Sequence, residues 1–405
     1  MIFKIAFRNI FRQRRRTILT ALSMLSGFVL SAFFIGFSDG SYSNIINMFT
    51  RNKTGHIQIH QKNYLDNPSI YKSIKNYKKI FQKLDNIEKI EAYAPRIYTS
   101  GLVSVRDKSA GARVIGINPI YENNTTNFNK NIMQGGVPLS SKHLKQVLIG
   151  VGLSKLLKAK IKDDIILVSQ GAEGEIAYDI FEIVGIIDSG DELGDKMSFY
   201  MNIKEADELF SLKGKIHEIA INTNSIKQVE GVRKLINEKL QNKNLQVATW
   251  KEFAKSFYDA MKADQAGMWI MLLIIVLIVA IGVLNTVLMS VLERTREYGV
   301  LKAIGTKPSQ IFNLVLIEVN IIAIFSIIIG AGIAFILNSL MANYGYTIPD
   351  PISYGGMMFE TMKGEVNSRS FVIPAITILF TASFVGFFPA LRAARIDPAK
   401  SMRSF

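Results

Sequence analysis

Four long apolar runs restrict what this chain can fold into. The two nearest the C-terminal half, 267–292 and 311–340, flank a short polar interruption at 293–310. Each run meets or exceeds the roughly 20 apolar residues that a helix needs to cross a bilayer. Runs at 17–38 and 371–390 meet the same criterion. We therefore predict a membrane α-helical protein with four transmembrane helices.

A long polar stretch, 39–266, separates the first two apolar runs and is large enough to bury its own core. Its two ends repeat the order strand, helix, strand, which predicts two βαβ units in one split α/β sandwich. The apolar stretches Ile165–Val168 and Phe181–Ile187, with Gly-rich turns between strands, predict a β-rich insert at about 118–212. The βαβ elements are expected at Gly55–His60, Ser69–Leu84 and Ile90–Ala94, and again at Lys215–Asn222, Ser225–Leu240 and Leu245–Thr249. The fold class is thus four membrane helices with a large α+β domain.

Residues 1–16 have the pattern of an amphipathic helix lying in the headgroup plane. The alternative is the n-region of a secretory signal. The following apolar run is too long for a signal h-region and no A-x-A site follows it, which favours a retained first span. The apolar face is Phe3, Phe7, Ile10 and Phe11, and the basic face is Lys4, Arg8, Arg12 and Arg15.

The distribution of basic residues predicts the orientation in the membrane. The net charge is +15, yet the densest Lys and Arg cluster directly precedes the first span and no nucleic-acid motif accompanies it. Segment 293–310 and the tail 391–405 are also basic, whereas the loop 341–370 carries only Lys363 and Arg369. We expect both termini in the cytoplasm, the large domain outside, membrane lipids as neighbours, and no nucleic acid as a partner.

Segment 293–310 mixes both signs of charge with an apolar stripe at helical spacing. This pattern fits a short amphipathic helix that docks a soluble partner, and it fits equally a solvated hairpin loop. Gly299 and Gly305 bracket its inner part, and Pro308 predicts the start of the next helix. The charged residues are Glu293, Arg294, Arg296, Glu297 and Lys302, and the apolar stripe is Tyr298, Val300, Leu301 and Ile304.

Small and polar residues inside the predicted spans indicate helix contacts. Ser23, Gly27 and Ser31 recur every fourth residue, which predicts a packing seam between two copies or within one subunit. We interpret Asn285 in the second span as structural. Glu318, two turns inside the third span, is either functional or paired locally.

The sequence does not support catalysis or nucleotide binding. The single Gly-Lys pair, Gly214-Lys215, is followed by Ile216, so no P-loop is present, and cysteine is absent. His56 and His60 share one face of a predicted strand, but we interpret them as surface histidines since no third ligand is near. We predict no metal site; the acidic stretch 188–195 is interpreted as a turn after a strand. The remaining histidines are His143 and His217.

Three motifs resemble the MacB/FtsX-type ABC transporter permeases. Residues 293–305, ERTREYGVLKAIG, are similar to the family signature E-R-x-x-E-[IF]-G-x-[LM]-[KR]-A-[ILV]-G. The tail 388–403, FPALRAARIDPAKSMR, resembles the family ending, and 6–17 resembles its start. Within the family the chain looks like the lipoprotein-releasing permeases of the LolC/LolE kind, because no fused ATPase is seen.

The resemblance implies a permease dimer, of two copies or two paralogues, in a bacterial inner membrane. A separate ABC ATPase would bind ATP and Mg²⁺, and nucleotide-driven motion would reach a MacB-like periplasmic core by mechanotransmission. The implied cargo is a lipoprotein or another amphipathic substrate. A signalling role on a peptidoglycan hydrolase, and peptide or small-molecule efflux with a periplasmic adaptor, stay open. The implied ATPase-coupling residues are Glu293, Arg294, Glu297, Tyr298, Gly299, Leu301, Lys302, Ala303 and Gly305, with Arg392 and Arg395 seating the same partner.

Overall fold

The computed structural model describes residues 2–12, 14–141, 145–354 and 357–398. The chain divides into two compact units: residues 1–42, 263–347 and 361–405 form one, and residues 43–262 and 348–360 form the other. His143, the tail beyond residue 398, and the side chains of Lys4 and Phe11 lie outside the described part.

Helices and strands alternate through much of the described chain. In chain order they are α1 (Ile2–Arg12), α2 (Arg14–Phe49), β1 (Ile57–Gln61), α3 (Tyr77–Leu84), β2 (Ile90–Val105), β3 (Lys108–Ile117), α4 (Pro119–Thr125), β4 (Gln146–Gly150), α5 (Val151–Leu157), β5 (Asp164–Gln170), β6 (Ile176–Ile187), α6 (Glu192–Asp195), β7 (Ser198–Asn202), α7 (Ile203–Leu209), β8 (Glu218–Thr223), α8 (Val229–Leu240), β9 (Leu245–Thr249), α9 (Trp250–Phe253), α10 (Lys255–Glu293), α11 (Thr295–Ala303), α12 (Pro308–Tyr344), β10 (Tyr346–Tyr354), β11 (Met357–Met362) and α13 (Arg369–Ala394).

The first unit is helical and contains the long apolar helices. Helices α2, α10, α12 and α13 are each long and apolar enough to cross a membrane, with mean hydropathy between 2.2 and 3.0. The predicted four-helix class is therefore confirmed. Helices α2 and α10 continue past the predicted spans, to Phe49 and back to Lys255. The apolar run marks the part that can lie in lipid, but backbone hydrogen bonds continue a helix through polar residues as well.

Small residues let these helices approach closely. A Cβ at Gly27 would lie 2.2 Å from Cγ2 of Val279 in α10, and Ser23 faces Gly282 of the same helix. Ser31 is buried. Asn338 Nδ2 in α12 donates to the carbonyl of Ala32, at 3.2 Å. Ser23, Gly27 and Ser31 thus lie on or near helix contacts made within this one chain.

The second unit contains the split βαβ sandwich. Strand β8 lies between β1 and β2, β1 also pairs with β9, and all of these pairs are antiparallel. Consequently β1 and β2 run parallel with β8 between them, as in the split βαβ arrangement. Helix α3 follows β1 and helix α8 follows β8. The helical stretch expected at 69–84 begins only at Tyr77.

Strand β2 joins two parts of one nine-stranded sheet, because it is long enough to pair with different strands along its length. Its first part, 90–96, pairs with β8, whereas 96–105 pairs with β3. From there a closed ring of six strands runs through β3, β7, β4, β6 and β5 and returns to β2. The β-rich part therefore begins inside β2 rather than near residue 118, since alternation within a strand does not reveal its pairing partners.

The interpretation of His56 and His60 as surface histidines is wrong: both are buried, at 0% and 1% exposure. Strand β1 lies between β8 and β9, so neither of its edges meets solvent. Burial lowers the pKa of each imidazole to about 4. The Nδ1 atom of His56 accepts from the backbone N–H of Thr223 at 3.0 Å, which requires the neutral ring.

The acidic stretch 188–195 lies between β6 and β7. Asp191 accepts from the backbone N–H of Gly194 at 2.9 Å and pairs with Lys53 at 2.6 Å. Asp195 accepts from the N–H and hydroxyl of Ser189, at 2.8 and 2.7 Å. Its carboxylates therefore stabilise the turn itself. Among the described residues no group of three or more His, Cys, Asp or Glu is placed to hold a metal ion.

Candidate coupling site

The polar interruption folds into a separate short helix, α11, between α10 and α12. Arg294 leaves the helical conformation, with φ −95° and ψ 14°, and so separates α10 from α11. At the other end Gly305 has φ +100°, a conformation that favours glycine. Pro308 then opens α12, where its missing N–H is not needed. The helix is thus bounded by a break, a glycine turn and a proline start.

Helix α11 has an inward and an outward apolar face. Tyr298 is 1% exposed, and Leu301 packs against the same buried cluster. Val300 and Ile304 point outward, with 45% and 75% exposure. The single apolar stripe predicted from the sequence is therefore wrong. Steps of about 100° per residue put residues 300 and 304 about 40° apart, and the midpoint of this pair lies about 110° around the helix from that of 298 and 301. Ala303 is exposed beside the outward pair.

Arg294 is the centre of a buried network. Its Nη1 donates to Oε2 and Oε1 of Glu318, at 2.9 and 3.2 Å, and its Nε donates to Glu297 at 3.1 Å. The guanidinium lies 5.1 Å from the ring centre of Tyr298, which adds a cation–π contact. Burial alone would lower the pKa of Arg294, but Glu318 raises it above its ordinary value. The guanidinium of Arg294 therefore contacts Glu297 and Tyr298 of α11 and Glu318 of α12.

The N-terminal helix joins this network. Asn9 Nδ2 donates to Oε1 of Glu318 at 2.6 Å, and Arg12 lies 3.4 Å from Glu297. At the start of α2, Arg16 pairs with Glu293. These contacts connect α1 and α2 to both sides of the break at Arg294.

The end of α13 is held from the other side of α11. Nζ of Lys302 donates to the carbonyl oxygens of Ala394 and Ile396, at 3.1 and 2.7 Å. A cation at the end of a helix also interacts favourably with its dipole. Arg392 and Arg395 of the same region are exposed.

The predicted coupling residues therefore separate into two groups. The anchoring group faces the helical unit and fixes α11 to it. The exposed group offers two signs of charge and a small apolar surface to a partner. The anchoring group is Arg294, Glu297, Tyr298, Gly299, Leu301 and Lys302; the exposed group is Glu293, Ala303, Gly305, Arg392 and Arg395, together with Val300 and Ile304.

Sequence reasoning missed Asn9 and Arg16 and left Glu318 undecided. Glu318 carried the stronger signal, because a carboxylate inside an apolar run needs a cationic or donating partner. The nearest cations along the chain lie in the interruption 293–310, but their positions in the sequence do not single out Arg294. Asn9 carried no such signal, since an amide on an amphipathic helix is ordinary.

Two family models match this chain. Residues 17–239 match the family described as the MacB-like periplasmic core domain, and residues 269–398 match the FtsX-like permease C-terminal family. The lipoprotein-releasing system transmembrane protein LolC of Neisseria meningitidis is 19% identical over 363 residues, covering 84% of this chain and 83% of its own. The macrolide export ATP-binding/permease protein MacB of Campylobacter jejuni is 24% identical over 415 residues, covering 99% of this chain.

The chain spans only part of some relatives. It covers 61% of that MacB and 55% of an uncharacterized ABC transporter permease of Methanocaldococcus jannaschii, to which it is 24% identical over 227 residues. The crystal structure of the periplasmic region of MacB from Actinobacillus actinomycetemcomitans matches 50% of this chain and 92% of its own, with 15% identity and a TM-score of 0.36.

Proposed function

Because this chain belongs to the MacB/FtsX-type family of ABC transporter permeases, we propose that it couples ATP hydrolysis by a separate ATPase subunit to motion of its large external domain. The ATPase binds ATP and Mg²⁺ and docks on the exposed face of α11, with Arg392 and Arg395 beside it. Family members work with ABC ATPases, which supports this kind of partner.

The observation that carries the proposal is the attachment of α11. A docking helix transmits force only if it is fixed to the spans that must move. Arg294 binds α12 through Glu318 at 2.9 Å, and Lys302 binds the end of α13 at 2.7 Å. Displacement of α11 by a partner therefore pulls on two spans at once. Such a device biases one of two arrangements only if the partner binds them with different affinity.

In this proposal the chain lies in the cytoplasmic membrane of a bacterium, with both termini and α11 inside. A second permease copy or a paralogue completes the complex. The cargo is a lipoprotein or another amphipathic molecule taken from the outer leaflet. The similarity to LolC over 84% of the chain supports this cargo class.

Single cysteines test the docking face, because the chain has no cysteine of its own. Ile304→Cys, with the side chain 75% exposed on α11, should crosslink to a co-expressed ABC ATPase. In intact cells it should resist a membrane-impermeant maleimide. Leu193→Cys, at a side chain that is 67% exposed in the second unit, is the matched control. It should not crosslink to the ATPase, and the impermeant maleimide should label it in intact cells. Labelling of Ile304→Cys from outside would refute the assignment.

Cargo is tested separately in proteoliposomes that contain the permease and its ATPase. We expect Mg-ATP to release a triacylated lipoprotein to a soluble acceptor, and a non-lipidated form of the same protein to leave the ATPase rate unchanged. Coupled hydrolysis without release of the lipidated protein would contradict the cargo class but not the coupling.

A further inference from the structure

A cavity of about 670 Å³ opens within the second unit, beside strands β1, β2, β3 and β8. The strand register fixes the order of side chains along its wall. Arg96 of β2 lies opposite Ile117 of β3. Four residues further along β2, Ser100 lies opposite Arg113. At about 3.3 Å per residue, the positions of the two arginines are about 13 Å apart along the strands. They therefore mark two different ends of the cavity.

The end at Arg96 is satisfied by the chain itself. The guanidinium contacts Glu122 at 2.6 and 3.0 Å and Oε1 of Glu218 at 2.9 Å. Tyr98 donates its hydroxyl to the same Oε1 at 3.2 Å. Arg96 and both glutamates are at most 4% exposed. Buried charges need pairing and hydrogen bonds, and this network supplies both without a ligand.

The end at Arg113 has no such network. Within the described ranges, no group accepts a hydrogen bond from its guanidinium and no carboxylate lies within salt-bridge distance of it. The acidic side chains of this region are already engaged. Asp191 pairs with Lys53 at 2.6 Å, and the two glutamates that line the cavity pair at the other end. The N–H groups of Arg113 are thus free to bind an anion.

Two hydroxyl groups lie beside this free cation. Ser100 is directly opposite Arg113 in the ladder, and Tyr200 of β7 pairs with Ile115, two residues along β3. Neither hydroxyl bonds to another group in the part of the chain that the structure describes. Tyr200 is only 5% exposed, yet its oxygen is not sealed in the interior, so it faces the cavity that it lines. A nearly buried hydroxyl of this kind needs an acceptor, which here can come from the cavity.

The wall between the two ends is largely apolar. Ile115 and Ile117 line it from β3, and the ring of Phe128 lies 4.8 Å from that of Tyr200 in an edge-to-face arrangement. Met197, 46% exposed, lines it as well. Covering such surface with carbon groups is favourable because it removes apolar area from water.

We propose that this cavity binds a small amphiphilic carboxylate, with its head group at Arg113 and its apolar body along Ile115 and Phe128. A planar guanidinium binds both oxygens of a carboxylate at once, and Ser100 and Tyr200 supply further donors. A singly charged head group matches the one free cation. The two buried glutamates at the other end disfavour the reverse orientation. The site is separate from the docking face on α11 and does not depend on the proposed ATPase or cargo.

The test uses the full chain in lipid nanodiscs at pH 8 and follows the midpoint of thermal unfolding. The probes are n-octanoate, n-octylammonium, which has the same chain and the opposite charge, and acetate, which has the head group without the chain. A ligand that binds only the folded state stabilises it. We therefore expect a saturable rise of the midpoint with n-octanoate alone.

Variants separate binding in the cavity from uptake of n-octanoate by the nanodisc lipid. Arg113→Gln should fold like the parent, because the side chain is exposed and unpaired in the described structure, and it should abolish the saturable rise. Arg106→Gln is the matched control. It removes an arginine that is 63% exposed on the turn between β2 and β3 and lies outside the cavity lining, so it should keep the rise.

Chain length gives a second test. The part of the rise that depends on Arg113 should reach half its maximum at concentrations that fall about fourfold for each CH₂ added from butanoate to octanoate, because each group covers apolar wall. An equal rise in Arg113→Gln, an equal effect of n-octylammonium or acetate, an affinity that does not change with chain length, or no rise with n-octanoate would each overturn the proposal.

Discussion

Arg294 and Glu318 form an ion pair between the break before α11 and the inside of α12, with Nη1 2.9 Å from Oε2. Their side chains are 9% and 13% exposed. Buried pairs of this kind do not necessarily add stability compared with apolar residues, but losing one partner is costly. The pair therefore fixes which part of α12 moves with α11.

Glu318→Ala should lower the unfolding midpoint of the chain clearly, because it removes the more buried of the two carboxylates that pair with the Arg294 guanidinium. The cost of breaking such a pair is about 3–5 kcal/mol. The double variant Arg294→Glu with Glu318→Arg should recover part of the loss. Glu192→Ala, which removes an exposed pair with Lys196, is the control and should change the midpoint little. A midpoint for Glu318→Ala equal to that of the parent would contradict the role of the pair.

Glu297→Lys should uncouple ATP hydrolysis from function while the protein still inserts. Glu297 lies between Arg294 at 3.1 Å and Arg12 at 3.4 Å, so the substitution brings three cations together. Glu297→Gln keeps an acceptor without the repulsion and should retain most coupling. The readouts are Mg-ATP hydrolysis by the co-purified ATPase and resistance of the chain to alkaline extraction.

Gly299→Pro tests the helix itself rather than its charges. Gly299 is buried inside α11, where proline removes a backbone hydrogen bond and costs about 3 kcal/mol. We expect the same loss of coupling as in Glu297→Lys, again with normal insertion. Full coupled activity in this variant would show that α11 does not act as a rigid helix.

The four spans could be predicted from sequence because apolar length alone decides them. The βαβ units were also predictable, since each element has a local periodicity. The double role of β2 was not, because its pairing with β5 and with β8 joins residues that lie far apart in the sequence. The interpretation of His56 and His60 as surface histidines was wrong for a related reason, because both faces of β1 are covered by parts of the chain that the local sequence does not identify.

The candidate site shows the same division. The boundaries of α11 were readable from Gly305 and Pro308, which act locally. Helical geometry alone determines which side chains share a face. Even so, the prediction wrongly placed Val300 and Ile304 in one stripe with Tyr298 and Leu301. The partner of Glu318 required knowing how α1, α11 and α12 pack, and no local pattern contains that information.

Gly27→Leu tests whether the small-residue seam lies within the chain. A Cβ there would meet Val279 at 2.2 Å, so a larger side chain must separate α2 from α10. We expect a lower unfolding midpoint and less monodisperse protein after extraction. Gly332→Leu is the matched control, since a Cβ at Gly332 meets nothing within 4 Å. An unchanged midpoint combined with altered crosslinking between copies would place the seam between subunits instead.

Glu218→Gln should remove a contribution to the free energy of unfolding that falls as pH rises. The pKa of Glu218 is raised from 4.5 to about 7 in the folded chain, so between these values the folded state binds more protons than the unfolded state. Its contribution to stability therefore falls as pH rises through this window, by about 3 kcal/mol in total. His60 acts in the opposite direction: its pKa is lowered from 6.5 to about 4, so its contribution rises with pH between those values.

The two contributions largely offset each other in the parent chain between about pH 4.5 and 6.5. Glu218→Gln removes the contribution that falls with pH and keeps the contribution of His60, which rises with pH. The stability of this variant relative to the parent should therefore increase from pH 5 to pH 8. Thermal unfolding of the full chain across this range measures the difference. Glu230→Gln should run parallel to the parent, because this side chain is 52% exposed. A constant difference between Glu218→Gln and the parent would mean that folding leaves the pKa of Glu218 at its ordinary value, and the pH dependence derived from its burial would then be wrong.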